Sequence, residues 1–434
     1  MQNRKAALDR ISQLLTDEDD GRACKDIPDD ACTALPRNFL LLLLGQTASA
    51  LADLLSNPKT VLTWLLSSLG APAAVVAWLV PVRESGAMLP QMLLGAWVRR
   101  FAKRKRVLVL GGVLQAICLL GMAFCALTLQ SYQAGIAILM LLLLFSLARG
   151  LNSIAMKDVT GKTIPKGRRG RLSGLSVAIS AALTAFVAIW LLLNRGSDTE
   201  WYALLLIAAA LLWCAAALSF AKVTEQAGAT EGGRNAFLLV LQSTTLVARD
   251  AVLRRFIFCR AMLLSSALVQ PFIVLLAQQQ LPSGQMLAVL LLASSLATAI
   301  SAPLWGRLAD NNSKKVLRWA AIVAAVVIAL AATTSSLVPT AAAQWYYPLL
   351  FIGLHIAHAG IRLGRKTYIL DIATGDTRTD YVAVSNSIIG LCLLLTGLIT
   401  AALASVSIAA VLWFFTLCSV VGAIAASRLK AVPS

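Results

Sequence analysis

Eight polar or charged side chains interrupt stretches of the sequence that are otherwise apolar enough to lie inside a membrane. A charge near the centre of a bilayer is energetically costly, so each one is expected to belong to a functional site or to pair with another. Carboxylates and imidazoles at that depth can take up and release protons, and arginines can attract an anionic or polar solute. The eight residues are Asp53, Arg83, Glu84, Arg149, Asn152, His355, His358 and Arg362.

The two carboxylates, Asp53 and Glu84, are candidate proton carriers that load on one side of the membrane and release on the other. A static ion pair, for instance of Asp53 with Arg83, is the alternative interpretation. Arg83 and Glu84 are adjacent in the chain, so their side chains point in different directions and are expected to have separate partners. Arginine and histidine outnumber the acids among the eight residues, which favours an anionic or polar organic solute.

The two histidines, His355 and His358, share one face of a predicted helix with Arg362 at i, i+3 and i+7 spacing. They either titrate and hydrogen-bond a solute, or they are ordinary packing residues. A metal site is not expected from them, because no third ligand is evident. The eight cysteines contain no CxxC and no Cys/His pairing, so neither a zinc or redox site nor a cofactor is expected.

The composition shows what kind of structure must hold these residues. Of the 434 residues, 59% are hydrophobic and 13% charged, with a mean hydropathy of +0.78. Soluble domains run near 45–50% apolar and about 25% charged. The excess excludes a soluble enzyme, a disulfide-stapled secreted domain and a disordered chain. It predicts an all-α integral membrane protein, in which about 20 residues per span allow on the order of a dozen spans.

Twelve membrane spans follow from the alternation of apolar runs and short polar breaks. An alternative division places a turn at 57–59 and a second span at 60–80. It would leave Arg83 and Glu84 in a loop. The twelve predicted spans are 38–66, 72–97, 106–129, 133–156, 172–194, 201–221, 256–279, 285–307, 315–337, 345–371, 381–404 and 407–427.

The chain has a net charge of +18 and a pI near 10, and its basic residues are concentrated in particular loops. The loops after spans 2, 4, 6, 8 and 10 and the C-terminus are basic, whereas the other loops contain almost no Lys or Arg besides Arg195. Cytoplasmic loops collect Lys and Arg, so both termini are predicted to be cytoplasmic, in a multi-pass protein of a bacterial inner (plasma) membrane. Contact with the lipid bilayer is expected, and nucleic-acid binding is not.

A repeated offset indicates two related halves of six spans. Gly95 and Gly306 each end an apolar run before a basic loop and are 306 − 95 = 211 positions apart, and Lys157 and Lys366 are 366 − 157 = 209 apart. The predicted organisation is a cytoplasmic N-terminal segment 1–36, a six-helix half 37–221, a cytoplasmic linker 222–255, a six-helix half 256–428 and a cytoplasmic tail 429–434.

The repeat also sorts the charged candidates. Arg149 has a rough counterpart in Arg362, 213 positions further on, so this pair is expected to belong to the shared scaffold. When shifted by 211 positions, the others meet no charged residue, so the shared fold does not demand them. These best candidates for solute and proton sites are Asp53, Arg83, Glu84, His355 and His358.

A loop motif carries a family resemblance. The sequence GRLADNNSKKVL begins at Gly306 and places Asp310 four residues later, before the basic pair Lys314 and Lys315. With this motif after the eighth of twelve spans, the chain resembles the major facilitator superfamily of secondary transporters over about residues 37–430. The resemblance implies two pseudo-symmetric six-helix halves that work by alternating access around a central cavity.

The resemblance has departures. The counterpart motif GAWVRRFAKRKR, which begins at Gly95, is degenerate and has Arg99 where the family has Asp. Arg149 only weakly resembles an arginine of proton-coupled drug exporters, and the glycine-proline signature of such exporters is missing from 172–194. A drug-export assignment is therefore not supported.

The second loop motif is expected to act as a latch on the cytoplasmic side. Gly306 would let two helices approach closely, as small residues do in membranes. Asp310 would accept hydrogen bonds or pair with a basic residue of a neighbouring loop. The alternative is an ordinary basic cytoplasmic loop.

The expected function is secondary active transport of a small solute by alternating access, coupled to protons, by a monomer. The alternative is a membrane scaffold or assembly factor that kept the fold and lost transport, which the degenerate first motif favours. An enzyme is not expected, because the sequence contains no GxxxxGK[ST] phosphate-binding loop, no HExxH and no plausible Cys/His or Ser/His pairing.

Overall fold

The computed structural model of the chain describes residues 33–194, 199–228, 230, 247–334, 337–373 and 378–430. Over these ranges the chain is helical, with short connections and no strand. Nearly all of the expected N-terminal segment 1–36 and much of the linker 222–255 lie outside the described residues.

The helices of the described chain are numbered α1 to α17 in order. They are α1 Leu35–Leu55, α2 Val61–Ser68, α3 Ala73–Val76, α4 Leu79–Met88, α5 Gln91–Arg99, α6 Lys105–Thr128, α7 Ser131–Thr163, α8 Lys166–Asn194, α9 Thr199–Ala221, α10 Ala251–Met262, α11 Ser265–Leu268, α12 Gln270–Gln280, α13 Gly284–Asn311, α14 Ser313–Thr334, α15 Thr340–Ile372, α16 Arg378–Val406 and α17 Ile408–Ser427.

Ten helical segments within the described ranges are long and apolar enough to cross a membrane, which confirms the prediction of an all-α membrane protein. Two predicted spans are not among the ten. One is the stretch α3 to α5, which is broken twice and contains Arg83 and Glu84; the other is α15, which contains the two histidines and Arg362. Counting both as crossings gives the predicted twelve. Five of the eight charged or polar candidates therefore lie in these two spans.

Helix α6 shows how the sequence divides its surface between lipid and protein. Leu110, Ile117 and Phe124 recur every seven residues and are exposed. The opposite face carries Gly111 and Gly112, which pack on α7 and α9. Such an exposed apolar stripe would be a liability in water but suits a hydrocarbon environment, where small residues bring helices together.

The helices pack into two bundles. In the N-terminal bundle (α1–α9), α6 packs on α7 and α9; in the C-terminal bundle (α10–α17), α14 packs on α15 and α17. The bundles meet where α8 contacts α13, where α16 contacts α3 and α4, and where α12 contacts α2.

One face of the molecule collects the chain ends and the basic loops, and we call it the basic face. There Asn38, near the start of α1, hydrogen-bonds the backbone of Thr224 after α9, and the hydroxyl of Tyr368 in α15 donates to the carbonyl of Lys430. The other ends of the spans form the opposite face.

The first predicted span is a single crossing with a break in its middle. Pro58 has no backbone N–H to continue α1, and Asn57 closes the turn by accepting the N–H of Lys59 at 2.8 Å. After α2, the chain turns at Leu69 and Gly70, where the N–H of Ser131 donates to the carbonyl of Leu69.

That contact places the turn at the opposite face, because Ser131 begins α7 there. The structure thus favours the division into spans 38–66 and 72–97, and it places Arg83 and Glu84 inside α4 rather than in a loop. Pro90 breaks the second span between α4 and α5, whereas Pro81 lies within the first turn of α4, where proline is tolerated.

The C-terminal bundle begins with a similarly broken span. The segments α10, α11 and α12 divide it, and Pro271 lies in the first turn of α12. Pro271 and Pro58 are 271 − 58 = 213 positions apart, close to the repeat seen elsewhere in the sequence. Both bundles therefore start with a helix whose backbone is interrupted at membrane depth.

The described residues show no close approach of two helices at Gly306. A Cβ atom at Gly306 in α13, or at Gly95 in α5, would meet no described atom within 4 Å. The close approach occurs deeper in the bundle, at Gly360 of α15. A Cβ there would lie 2.6 Å from the Trp305 ring and 2.8 Å from Cβ of Ala320.

We expect Gly360→Ala to lower the free energy of unfolding by about 1–3 kcal/mol, because the added methyl group has to displace the Trp305 ring and the Cβ atom of Ala320, which cannot move without its backbone. Denaturant unfolding in detergent micelles measures the change. Gly306→Ala is the matched control and should be neutral or mildly stabilising, since alanine is the better helix former. Equal destabilisation by both variants would contradict the packing described for Gly360.

Candidate functional site

Asp53 of α1 is held by two arginines from different helices. Its Oδ1 lies 2.8 Å from Nη2 of Arg83 in α4, and its Oδ2 pairs with Nη1 of Arg149 in α7. The Arg83 guanidinium also lies over the ring of Phe145, 4.7 Å from the ring centroid. The ion pair of Asp53 with Arg83 is the alternative that the sequence left open, and Arg149 adds a second cation. This cluster fastens three helices of the N-terminal bundle at one carboxylate.

Small residues bring these helices close enough for the arginines to converge. A Cβ at Gly86 of α4 would lie 2.8 Å from Cβ of Ser146 in α7, and one at Gly150 of α7 would lie 3.4 Å from the carbonyl oxygen of Ala87 in α4. The two helices therefore pack at nearly backbone contact, three residues after Arg83 and one after Arg149. Bulkier residues at these glycines would separate the arginines from their shared acid.

Glu84 is arranged differently from Asp53. It makes no hydrogen bond and no ion pair within 4 Å with any described residue. The cations whose charge reaches it are, in decreasing order, Lys59, Arg83, Arg149 and Arg365. Adjacent residues Arg83 and Glu84 thus face different surroundings, as their side-chain directions require. Glu84 is a half-buried acid with electrostatic neighbours but no fixed partner among the described residues.

Lys59 links the two bundles through the break in the first span. Its Nζ lies 3.4 Å from Nε2 of His358 in α15, and Nδ1 of that ring lies 3.1 Å from Oγ of Ser266 in α11. Ser266 in turn donates to the carbonyl of Leu263 at 3.0 Å. The chain of bonds assigns the proton of a neutral imidazole to Nδ1, with Nε2 accepting from the lysine. A lysine at one proline break is therefore connected, through His358, to the interrupted span of the other bundle.

His355 lies one turn before His358 and takes no part in that chain. Its Nδ1 lies 3.1 Å from the carbonyl oxygen of Phe351, and its ring packs on the Phe351 ring at a centroid distance of 4.3 Å. Of the two histidines, His358 is therefore the one that faces the other bundle.

Three arginines gather on the C-terminal side of the site. Arg362 and Arg365 continue the His358 face of α15, and Arg260 comes from α10. Arg260 is buried, donates from Nη1 to Oγ of Ser385 at 2.7 Å and from Nη2 to Oδ1 of Asn386 at 2.9 Å, both on α16. All three line one small cavity between α10, α14 and α15.

The part of the sequence that contains the broken helices and most of their charged residues matches a family model. The model described as the Major Facilitator Superfamily covers residues 42–281, more than half of the chain. The protein belongs to the major facilitator superfamily. The match runs from within α1 to the end of the first broken span of the C-terminal bundle, and it includes Asp53, Arg83 and Arg149.

Solved structures share this superfamily member's fold along nearly its whole length. The nucleoside transporter NupG is 16% identical with a TM-score of 0.65, and the comparison covers 90% of this chain and 98% of that one. A D-xylose-proton symporter is 14% identical with a TM-score of 0.68, covering 91% and 98%. The xylose transporter XylE from E. coli, in an inward-open conformation, is 13% identical with a TM-score of 0.67, covering 91% and 97%. No curated protein matched the sequence.

Several of the predicted site residues lie apart from the cluster formed by Asp53, Arg83 and Arg149. Asn152 is buried against α6, with its amide at the position where Gly111 lacks a side chain. The expected latch residues Gly95, Gly306, Lys314 and Lys315 lie near the basic face, and the side chain of Asp310 is outside the described structure.

Three basic residues of the site were missed from the sequence, namely Lys59, Arg260 and Arg365. Each one is a charge inside a predicted span, and Arg365 follows His358 by seven residues on the same helix face. Lys59 was assigned only to an alternative turn, and Arg260 lies close enough to the basic linker to resemble a loop residue. Asp53 was selected because a charge at membrane depth marks a functional site or an ion pair, and the same criterion would have identified all three.

A further missed acid, Glu225, organises the basic face. Its carboxylate is fully buried and accepts the backbone N–H groups of Arg104 at 3.0 Å and Lys105 at 2.7 Å. It also pairs with Nζ of Lys162 at 3.0 Å. Because the first N–H groups of a helix lack partners within it, this carboxylate caps α6 and fastens it to the end of α7.

We expect Asp53→Asn to lower the free energy of unfolding by about 3 kcal/mol, because it leaves Arg83, only 6% exposed, without its counter-charge. Denaturant unfolding in micelles measures the change. Adding Arg83→Met should recover part of the loss by removing the uncompensated cation.

The matched control is Asp371→Asn, an exposed aspartate that accepts a hydrogen bond from Ser313 at 2.7 Å. Its asparagine can still accept that bond, so the change should stay below about 1 kcal/mol. If Asp53→Asn were as mild as this control, Asp53 would not be the structural anchor of the N-terminal bundle.

Proposed function

We propose that this protein is a secondary active transporter that moves a small polar or anionic solute by alternating access, with a proton as the coupling ion. The observation that carries the proposal is Glu84, an acid at membrane depth with cations around it and no fixed partner. The shared fold supports the proposal, and one structural neighbour is a D-xylose-proton symporter.

The basic face is proposed to be the cytoplasmic side of a bacterial inner membrane, since cytoplasmic loops collect Lys and Arg. At the opposite face the bundles are joined: the Gln278 amide of α12 donates to Oγ of Ser68 at 2.8 Å and to the carbonyl of Trp64 at 3.3 Å. Toward the basic face, the Asn386 amide donates to Oε1 of Gln91 at 3.3 Å. Contacts between α16 and α5 are few. This arrangement supports a conformation that opens to the cytoplasm.

The two acids divide the work in this mechanism. Asp53 is bound by two guanidinium groups, so any change at this carboxylate would disrupt two ion pairs. Glu84 has no such pairs to lose. It is therefore the group that can change its protonation state without dismantling the N-terminal bundle.

Protonation of Glu84 would couple to solute binding through charge. A neutral Glu84 no longer balances Lys59 and Arg365, which then attract another anion. Loading the proton and loading an anionic solute thus favour each other, as symport requires. Lys59 also contacts His358 of the other bundle, so the same charges lie where the bundles must separate and close.

We expect Glu84→Gln to abolish solute-dependent proton movement while exchange of solute across the membrane persists. Glutamine keeps the size and polarity of the side chain but cannot take up the proton. The assay uses purified protein in liposomes with a pH-sensitive dye inside, screened with pooled metabolites. Counterflow of the active solute then measures exchange in the absence of a proton gradient.

The matched control is Glu200→Gln, an exposed glutamate at the start of α9, which should leave both signals unchanged. Proton movement that survives in Glu84→Gln would remove Glu84 from the mechanism. Absence of flux with every metabolite pool would instead favour a membrane scaffold that kept the fold.

A further inference from the structure

A small cavity in the C-terminal bundle has walls of unequal character. Its apolar walls come from residues such as Phe256, Leu263 and Leu317, and its polar groups are basic. The cavity measures about 30 Å³, where a single water needs roughly 10–15 Å³, so it accommodates one small polar group. The polar lining residues are Arg260, His358, Arg362 and Arg365.

Arg260 has donor capacity to spare at this cavity. A guanidinium carries five N–H donors, and the described bonds of Arg260 go to the neutral oxygens of Ser385 and Asn386. Its buried Nε has no hydrogen-bond partner in the described structure. A buried charge that keeps an unpaired donor is costly, so a ligand that accepts from it is favoured.

The charges around the cavity are not balanced. Arg362 and Arg365 make no hydrogen bond or ion pair with a described residue. The acid whose charge reaches Arg365 is Glu84, on the other bundle, and the charge that reaches Arg260 is that of Arg365, a second cation. Among the described residues, this side of the site therefore has three guanidinium groups and no acid of its own at membrane depth.

We propose that Arg260, Arg362 and Arg365 form a subsite for the carboxylate or phosphate group of an organic anion. The planar fork of a guanidinium matches both groups with paired hydrogen bonds, which an uncharged sugar or nucleoside cannot replace. The cavity holds the anionic group, and the rest of the solute extends toward Glu84 and Lys59 between the bundles. Transport of this anion rests on the proposed function, whereas its binding does not.

The subsite is also connected to the opposite bundle. Asn386, which orients Arg260, donates its own amide to Oε1 of Gln91 in α5. An anion that draws the Arg260 guanidinium toward the cavity therefore acts on a hydrogen bond that spans the bundles. Binding and rearrangement share the same side chains.

The test is saturable stabilisation of the purified full-length protein in detergent at constant ionic strength, followed by thermal unfolding. The probes are succinate and citrate as carboxylates, and glycerol 3-phosphate and inorganic phosphate as phosphates, with D-xylose and uridine as uncharged comparisons. We expect at least one anion to stabilise the protein and both uncharged compounds to have no effect. The carboxylate and phosphate arms decide which anionic group the subsite accepts.

We expect Arg365→Gln to weaken binding of the active anion at least tenfold. Arg362→Gln is the second variant, since its exposed side chain is not needed for packing. Arg318→Gln, an exposed arginine at the start of α14 outside the cavity, should bind like the original protein. Stabilisation by D-xylose or uridine alone, or anion binding equally strong in the two cavity variants, would overturn the proposal. Specific binding without flux would keep the subsite and remove the transport function.

Discussion

The structure depends on one electrostatic constraint. Basic side chains at membrane depth outnumber acidic ones, and each basic group has to be balanced. At this depth a lone cation is costly, and each arginine or lysine needs a carboxylate, a neutral acceptor or a solute to balance it. Asp53 balances two arginines at once, and this places the helices that carry Arg83 and Arg149. Glu84 is shared among several cations without belonging to one. The remaining imbalance lies at Arg260, Arg362 and Arg365, which line the cavity of the C-terminal bundle.

Breaks in the helix backbone position these charges, just as the contacts between side chains do. Proline removes a helical hydrogen bond, and a freed peptide group in a membrane has to be satisfied by protein or by a cavity. The break at Pro58 turns Lys59 toward His358, and the break before Pro271 places Ser266 on the far side of the same imidazole. Each bundle thus contributes an interrupted helix to the site, which intact helices would have covered with continuous apolar surface.

The sequence was sufficient for the architecture because hydropathy and charge asymmetry are properties of whole segments. The predicted span 106–129 differs from α6 by one residue at each end, and the pairing of Asp53 with Arg83 was among the stated alternatives. Hydropathy and charge asymmetry do not predict contacts between side chains that are distant in the sequence. Glu225 capping α6 depends on chain geometry after α9, and open space beside Gly306 depends on which helix ends separate.

The distribution of charge between the bundles explains why coupling would need both. The acids at membrane depth, Asp53 and Glu84, belong to the N-terminal bundle, and the cavity lined by Arg260 and Arg365 belongs to the C-terminal bundle. A proton on Glu84 and an anion on the arginines therefore change opposite sides of one interface. In the proposed mechanism, rocking of the bundles would alter the distance between those two sites, so neither occupant would be electrostatically independent of the conformation. The proton and the solute would then be coupled through one shared charge balance, without a direct contact between them.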